Sequence, residues 1–411
     1  MMLASAVRAD PKGDPATIAA RNKFFGAEHV DQATGQVSRD LVIISWFTNS
    51  SYAVSVKGRV VLLDSFVTRL EVMPGRTPFV IQDLVDLHPE AIFLGHGHFD
   101  HADNAEFISG KLGNIPIYAS PETCDNMQLD AVKLFGAAAR ANCVGVTSRG
   151  SIPGSEVATI DQLEPVATIR AFKHLHSTNT APQDTSFPPV VINSPVAGAC
   201  APPCNIADSR DAAMFPRGIP LSSVLDISTS RAGQGGPIAL FFSFRLRGDN
   251  QFTFVWHNSS GALREGCALP NNLQAVTPPT PSQPGQDVRG CFGPAVGAQV
   301  ASRMEELGPT DVHIGSVVSL GFGINGERDI VDYITHVKPK VFIPAHVTAV
   351  ALESSSLEWK VGYEKQLEAM SIPEEQRPEL LWTVDPNDYL RPMVFNPKDA
   401  RWAKAPPRDR H

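Results

Sequence analysis

The segment Ala91-Ile92-Phe93-Leu94-Gly95-His96-Gly97-His98-Phe99-Asp100-His101 constrains this chain more than any other. Its apolar start, Ala91 to Leu94, reads as a buried strand. Gly95 breaks the strand, and a cluster of histidines and an aspartate follows in the turn. His96 and His98 alternate with a glycine, so an extended segment points both the same way. Asp100 and His101 come after the chain has turned, and they address a second point in space. Neutral imidazole and carboxylate are ordinary ligands for zinc and similar divalent ions. A lone histidine is commonly a core or surface residue. Four potential ligands packed at a strand end point instead to a metal site.

Composition describes the chain around that cluster. With 411 residues, 43% of them hydrophobic, it can bury one large core or two ordinary ones. A net charge of −8, with no basic run interleaved with aromatics, argues against a nucleic-acid surface. No apolar stretch is long enough to span a bilayer. The six cysteines fall into three neighbouring pairs, Cys124 with Cys143, Cys200 with Cys204 and Cys267 with Cys291. They are expected to form disulfides, which need an oxidising compartment. Near the start, Ala4-Ser5-Ala6 resembles the tail of a secretory signal, without its charged start or long apolar region. Export to a periplasm or outside the cell is the expectation, with the cytoplasm as the alternative.

The spacing H-x-H-x-D-H after an apolar strand resembles the signature of the metallo-β-lactamase superfamily. The resemblance runs from about Leu41 to about Val350. Residues Val42 to Val54 look like the family's opening hairpin. Val60 to Ser65 looks like its next strand, which usually ends in an aspartate such as Asp64. Lys340 to His346 looks like its closing Ile-Pro-x-His strand. The resemblance implies an α/β fold, a four-layer αββα sandwich, here with loop-rich insertions at about 178–236 and 267–293 in a domain of residues 41–350. Residues 1–40 form an N-terminal extension and 351–411 a C-terminal one packed on the core.

The same resemblance implies the rest of the site. His96, His98, Asp100, His101 and His346 are expected to bind metal. A further histidine should follow a strand near Val166 to Lys173, where the chain has His174-Leu175-His176-Ser177. Alternation cannot separate His174 from His176. The family's frequent His-Ser favours His176, leaving His174 as a neighbour of the site or the alternative ligand. The family's bridging aspartate should follow the strand Gln251 to Trp256. Counting from that strand puts Asn258 there, with His257 as the alternative, and no carboxylate is present in the turn. An amide bridges two cations poorly, which leaves room for a mononuclear or asymmetric centre. The implied cofactor is zinc or another divalent ion, one or two per chain.

The implied activity is hydrolysis of a small molecule. A metal ion lowers the pKa of bound water to about 7, and the resulting hydroxide attacks a carbonyl in a lactone, ester or amide. Asp100 is the candidate catalytic residue, orienting the nucleophile or taking its proton. One alternative is a phosphodiesterase on a small phosphate ester, which would use cations such as Lys173 or Arg231. Another is a binding protein that keeps the fold without catalysis. Substrate-binding residues and oligomeric state are not readable. Phe187, Met214, Phe215 and Ile219 in the first insertion are candidates to line an apolar pocket.

Local signals supply the helices. Asp14 and Pro15 should cap and start a helix running to Phe25. Further helices are expected near Val80 to Leu87 and over Pro121 to Ala141, Ala295 to Leu307 and Ile330 to His336. Strands are expected over Ile238 to Leu246 and Asp311 to Ile314.

Overall fold

The structure is a computed structural model that describes residues 13–67, 81–178, 238–268, 285–287, 290–317, 327–346, 353–382 and 390–404. Most of both expected insertions lies outside the described residues. So do Cys200, Cys204, Arg231 and the four candidate pocket residues.

The chain opens with helix α1 (Pro15–Phe25). The Asp14 carboxylate accepts from the Thr17 amide at 3.0 Å, the cap expected from the sequence and ordinarily a stabilisation of about 1 kcal/mol. The first sheet follows: β1 (Val42–Thr48), β2 (Ser51–Val56), β3 (Arg59–Leu63), helix α2 (Ile81–Asp86), β4 (Ile92–Phe93), the short α3 (Phe99–Ala102), α4 (Ala105–Lys111), β5 (Ile117–Ala119), α5 (Pro121–Phe135) and β6 (Cys143–Gly145). Helix α5 stops short of the expected Ala141 because Gly136 takes φ 96°, outside helical geometry. The second sheet comprises β7 (Ala158–Ile160), β8 (Ala167–His174), β9 (Ala239–Leu246), β10 (Thr253–Trp256), then α6 (Pro294–Glu306), β11 (Val312–Ser316), α7 (Arg328–Val337) and β12 (Val341–Ala345). The C-terminal part adds α8 (Glu353–Ala369), β13 (Glu379–Leu380) and β14 (Pro392–Phe395).

The sheets have the orders β14-β1-β2-β3-β4-β5-β6 and β13-β12-β11-β10-β9-β8-β7. In each, antiparallel pairing gives way to parallel pairing, at β3–β4 in the first and β10–β11 in the second. Two similar halves result. The short β13 and β14, which sequence patterning does not mark, each extend one sheet.

Side-chain alternation assigns the layers. In the second sheet Ile169, Phe242, Phe244, Phe254, Ile314 and Ile343 share one buried cluster with Ile44, Val54, Leu62 and Phe93 of the first. Their neighbours Phe172, Phe241, Val255 and Phe342 fall in another cluster, with Val300, Ile334 and Leu367 of α6, α7 and α8. Period-2 strands thus face a partner sheet on one side and helices on the other. On the far side, α1, α2, α4 and α5 pack over the first sheet, with Phe24 and Phe25 of α1 fully buried. This is the four-layer αββα sandwich.

Cys124–Cys143 pins α5 to the edge strand β6, and Cys267–Cys291 closes the base of the second insertion. The two pairs span 19 and 24 residues, and closing such loops stabilises by roughly 3 kcal/mol each in the chain-entropy model. Thiol titration of the denatured, unreduced protein should leave at least four cysteines unreactive, and reduction should lower its melting temperature. Six reactive thiols would contradict both bridges.

Candidate metal centre

The site is built where strands end. Asp64 follows β3, His96 and His98 follow β4, His176 follows β8, Asn258 follows β10 and His346 follows β12. These strands run in one direction in each half, so their carboxyl ends collect at one edge of the sandwich. Phe93 holds β4 against the second sheet, edge-on to Phe242 and Phe244 at 5.5 and 5.3 Å between ring centres. The Leu240 amide donates to the Gly95 carbonyl at 2.7 Å and fixes the start of the histidine turn to β9.

Two groups of donors converge there. In the first, His96 Nε2 lies 2.9 Å from His98 Nδ1, and His176 Nε2 lies 3.2 Å from each. In the second, His101 Nε2 lies 3.1 Å from His346 Nε2, and the Asp100 carboxylate lies 3.5 and 3.6 Å from the two nitrogens. The groups adjoin: the His96 and His101 rings are centred 4.0 Å apart. Nitrogen ligands about 2.0–2.1 Å from a tetrahedral zinc stand roughly 3.3 Å from one another, so both groups have the span of a metal-ligand set.

The surrounding hydrogen bonds fix which nitrogens carry protons. His176 Nδ1 lies 2.7 Å from the Ser177 carbonyl, an acceptor only, so Nδ1 carries the proton and Nε2 a lone pair. His101 Nδ1 donates to the Asp64 carboxylate at 2.7 Å, which makes Nε2 the lone-pair nitrogen of its neutral ring. The same Asp64 oxygen is 2.8 Å from the Asn258 amide nitrogen. A carboxylate accepts only, so Asn258 turns its NH2 to Asp64 and its oxygen to His96 Nδ1, 2.8 Å away. His96 Nε2 is therefore also bare. Two lone pairs, on His96 and His176, face each other across 3.2 Å in a buried site. Such an arrangement repels unless a metal cation or the His98 Nδ1 proton sits between them, and the donor set fits a divalent metal ion.

Electrostatics keep four of the five imidazoles neutral, while at His101 burial opposes the charged form but the Asp100 and Asp64 carboxylates outweigh it and raise its pKa. Burial pushes His96 and His176 well below the ordinary imidazole range, and holds His98 and His346 down to about 4. Burial opposes the Asp100 anion, but His101, His346 and His98 outweigh it and bring the carboxyl down to about 2. Asn49, in the β1–β2 turn, orients Asp100 by donating to its carbonyl at 2.7 Å and its carboxylate at 3.2 Å. Asn49 also accepts from the His346 amide at 3.1 Å. Asn49, Asp64 and His346 all take left-handed backbone, with φ of 47°, 54° and 69°. Non-glycine residues are uncommon there, and such conformations gather at functional sites.

The structure thus brings together His96, His98 and His176, and separately Asp100, His101 and His346. His174 and His257 join neither group. His174 Nδ1 meets the Tyr333 hydroxyl at 3.1 Å. His257 Nδ1 donates to the Ser259 carbonyl at 2.6 Å, and its Nε2 is 2.7 Å from His313 Nε2. Asn258 contacts His96 Nδ1 and Asp64, as described. Asp64 and Asn49 carry the support of the site, and sequence reading gave neither a role. For Asp64 a signal existed: a carboxylate ending an apolar strand needs donors, and the site supplies them.

No family model matches the chain, and no curated protein matches it. Solved structures do resemble it. Igni18, a metallo hydrolase from Ignicoccus hospitalis, is 12% identical with a TM-score of 0.45 over 86% of this chain and 98% of its own. The metallo-beta-lactamase fold protein YhfI from Bacillus subtilis is 11% identical with a TM-score of 0.37, over 83% and 95%. CmlA, a diiron beta-hydroxylase from Streptomyces venezuelae, is 10% identical with a TM-score of 0.41, over 88% of this chain and 55% of its own. The chemistry of the site rests on its own atoms.

Proposed function

We propose that this chain, which has the metallo-β-lactamase fold, is a metal-dependent hydrolase of a carbonyl substrate such as a lactone, ester or amide. The observation that carries the metal is the pair of bare imidazole nitrogens facing each other at 3.2 Å. His96, His98 and His176 would hold one ion, and Asp100, His101 and His346 a second. A bound divalent ion, zinc or one like it, polarises a carbonyl and makes water acidic enough to react near neutral pH.

The chain's own residues do the rest. Asp64 holds His101 in the tautomer that presents Nε2, and the Ser177 carbonyl does the same for His176. Asp100 is anionic and anchored by Asn49, so it can orient a nucleophile or receive its proton. Asp100 and His346 are the open members, with side chains 16% and 21% exposed, and they mark the side from which a small molecule arrives.

A phosphodiesterase would want cations at this edge. Lys173 is spent elsewhere: its ammonium is buried, donating to the Ser148 carbonyl at 3.0 Å and lying 3.6 Å from Glu122. The two disulfides favour an exported protein, in a periplasm or outside the cell. Among the described residues no helix is long and apolar enough to cross a membrane.

Metal content after dialysis, combined with a panel of lactone, ester, β-lactam and phosphodiester substrates, tests the reading. Carbonyl hydrolysis that a chelator abolishes and added metal restores is the expected result. Diester cleavage alone would favour the phosphodiesterase. A fully metal-loaded protein inert to the whole panel would favour a binding protein.

A further inference from the structure

Asn258 stands where the resemblance puts a bridging carboxylate, yet both ends of its side chain are engaged by atoms other than those that converge in the donor groups. Its NH2 donates to Asp64 and its oxygen accepts from His96 Nδ1. Asp64 in turn accepts from His101 Nδ1 and, through its other oxygen, from the Gly95 amide at 3.0 Å. One unbroken chain of hydrogen bonds therefore runs His96–Asn258–Asp64–His101, with a ligand from each donor group at its ends. All four residues are buried, with exposures of 0 to 1%.

We infer that Asn258 is a positioning residue that locks the two metal positions together. The inference rests on the metal reading above. The chemistry is asymmetric. An amide donates with one end and accepts with the other, which is what a carboxylate on one side and an imidazole N–H on the other require. An aspartate at 258 would accept only, and so cannot make the present 2.8 Å bond to the Asp64 carboxylate. The backbone beneath is shaped for the amide. A Cβ on Gly95 would lie 2.2 Å from the Asn258 amide nitrogen and 2.4 Å from its oxygen, so only glycine leaves room. Gly95 breaks the strand before the histidines, and it also seats this clamp.

Outer partners of metal ligands typically contribute 10–100-fold to metal affinity. The test is zinc titration of the stripped full-length protein, with melting of the metal-free form, for the natural sequence, Asn258→Ala and Gly95→Ala. Both variants should bind zinc at least about 10-fold more weakly. In the metal-free natural protein, proton NMR should show slowly exchanging downfield imidazole N–H signals from His96 and His101, and Asn258→Ala should lose the His96 signal. That second readout needs no metal. If the natural protein binds no zinc but keeps both signals, the metal reading fails and the clamp stands. Unchanged affinity and signals in Asn258→Ala would overturn the clamp.

Discussion

Replacing His98 by alanine should strip most of the metal from the protein while leaving it folded. His98 Nδ1 is the vertex shared by the first donor group, 2.9 Å from His96 and 3.2 Å from His176. Without it only two donors remain, fewer than the three protein ligands that metal sites of this kind keep. The loss of affinity should therefore exceed the ~100-fold that outer-shell changes reach. The fold should survive. His98 lies in the turn between β4 and α3, and its Nε2 has no hydrogen-bond partner to forfeit. Elemental analysis after dialysis reads the metal, and circular dichroism reads the fold. His346→Ala should instead deplete only the second position. A full metal complement in His98→Ala would reject the first donor group.

Acid should destabilise the metal-free protein from just below neutrality. Outside the donor groups, His257 and His313 are fully buried between the second sheet and α7, their Nε2 atoms 2.7 Å apart. Burial pushes His257 down to about 3 and His313 well below the ordinary value. Above the unfolded imidazole pKa of about 6.5, neither state holds the proton and these groups leave stability flat. Below it the unfolded chain takes protons that the folded chain refuses, so stability falls with pH. For His257 the fall ends only near its folded value of about 3. Each such histidine contributes about 1.4 kcal/mol per pH unit in that window. Urea midpoints measured between pH 7 and 5 should fall steeply, and His313→Leu should flatten the slope by about one histidine's share. A flat profile over that range would mean that these imidazoles are protonated in the fold. Gly315 gives an independent handle. A Cβ there would lie 2.8 Å from both Nε2 atoms, so Gly315→Ala should separate the pair.

Much of this architecture is written locally. The cap at Asp14, the apolar strand before His96 and the helix starts at Pro121 and Pro294 depend on neighbours in sequence, and so can be read from it. The cluster from His96 to His101 is local too, because a strand end and one short turn aim its four donors. The edge strands β13 and β14 are different. They are short and pair with distant partners, so no periodicity marks them.

Tertiary structure alone decided among the remaining histidines. Alternation treats His174 and His176 alike. In the fold, β8 ends at His174, which stays on the helix side with Phe172, and Leu175 is buried in that same cluster. The chain then leaves the sheet, the two-residue period breaks, and His176 reaches His96 and His98. After β10 the period persists for two more residues. His257 continues the helix-side face of Val255 and meets His313, while Asn258 continues the inner face of Trp256 and meets Asp64. The sequence by itself determined that imidazoles and a carboxylate would gather at a strand end. Which of the distant histidines joined them depended on where each strand stops, and that is set by packing between sheets and helices that no single segment contains.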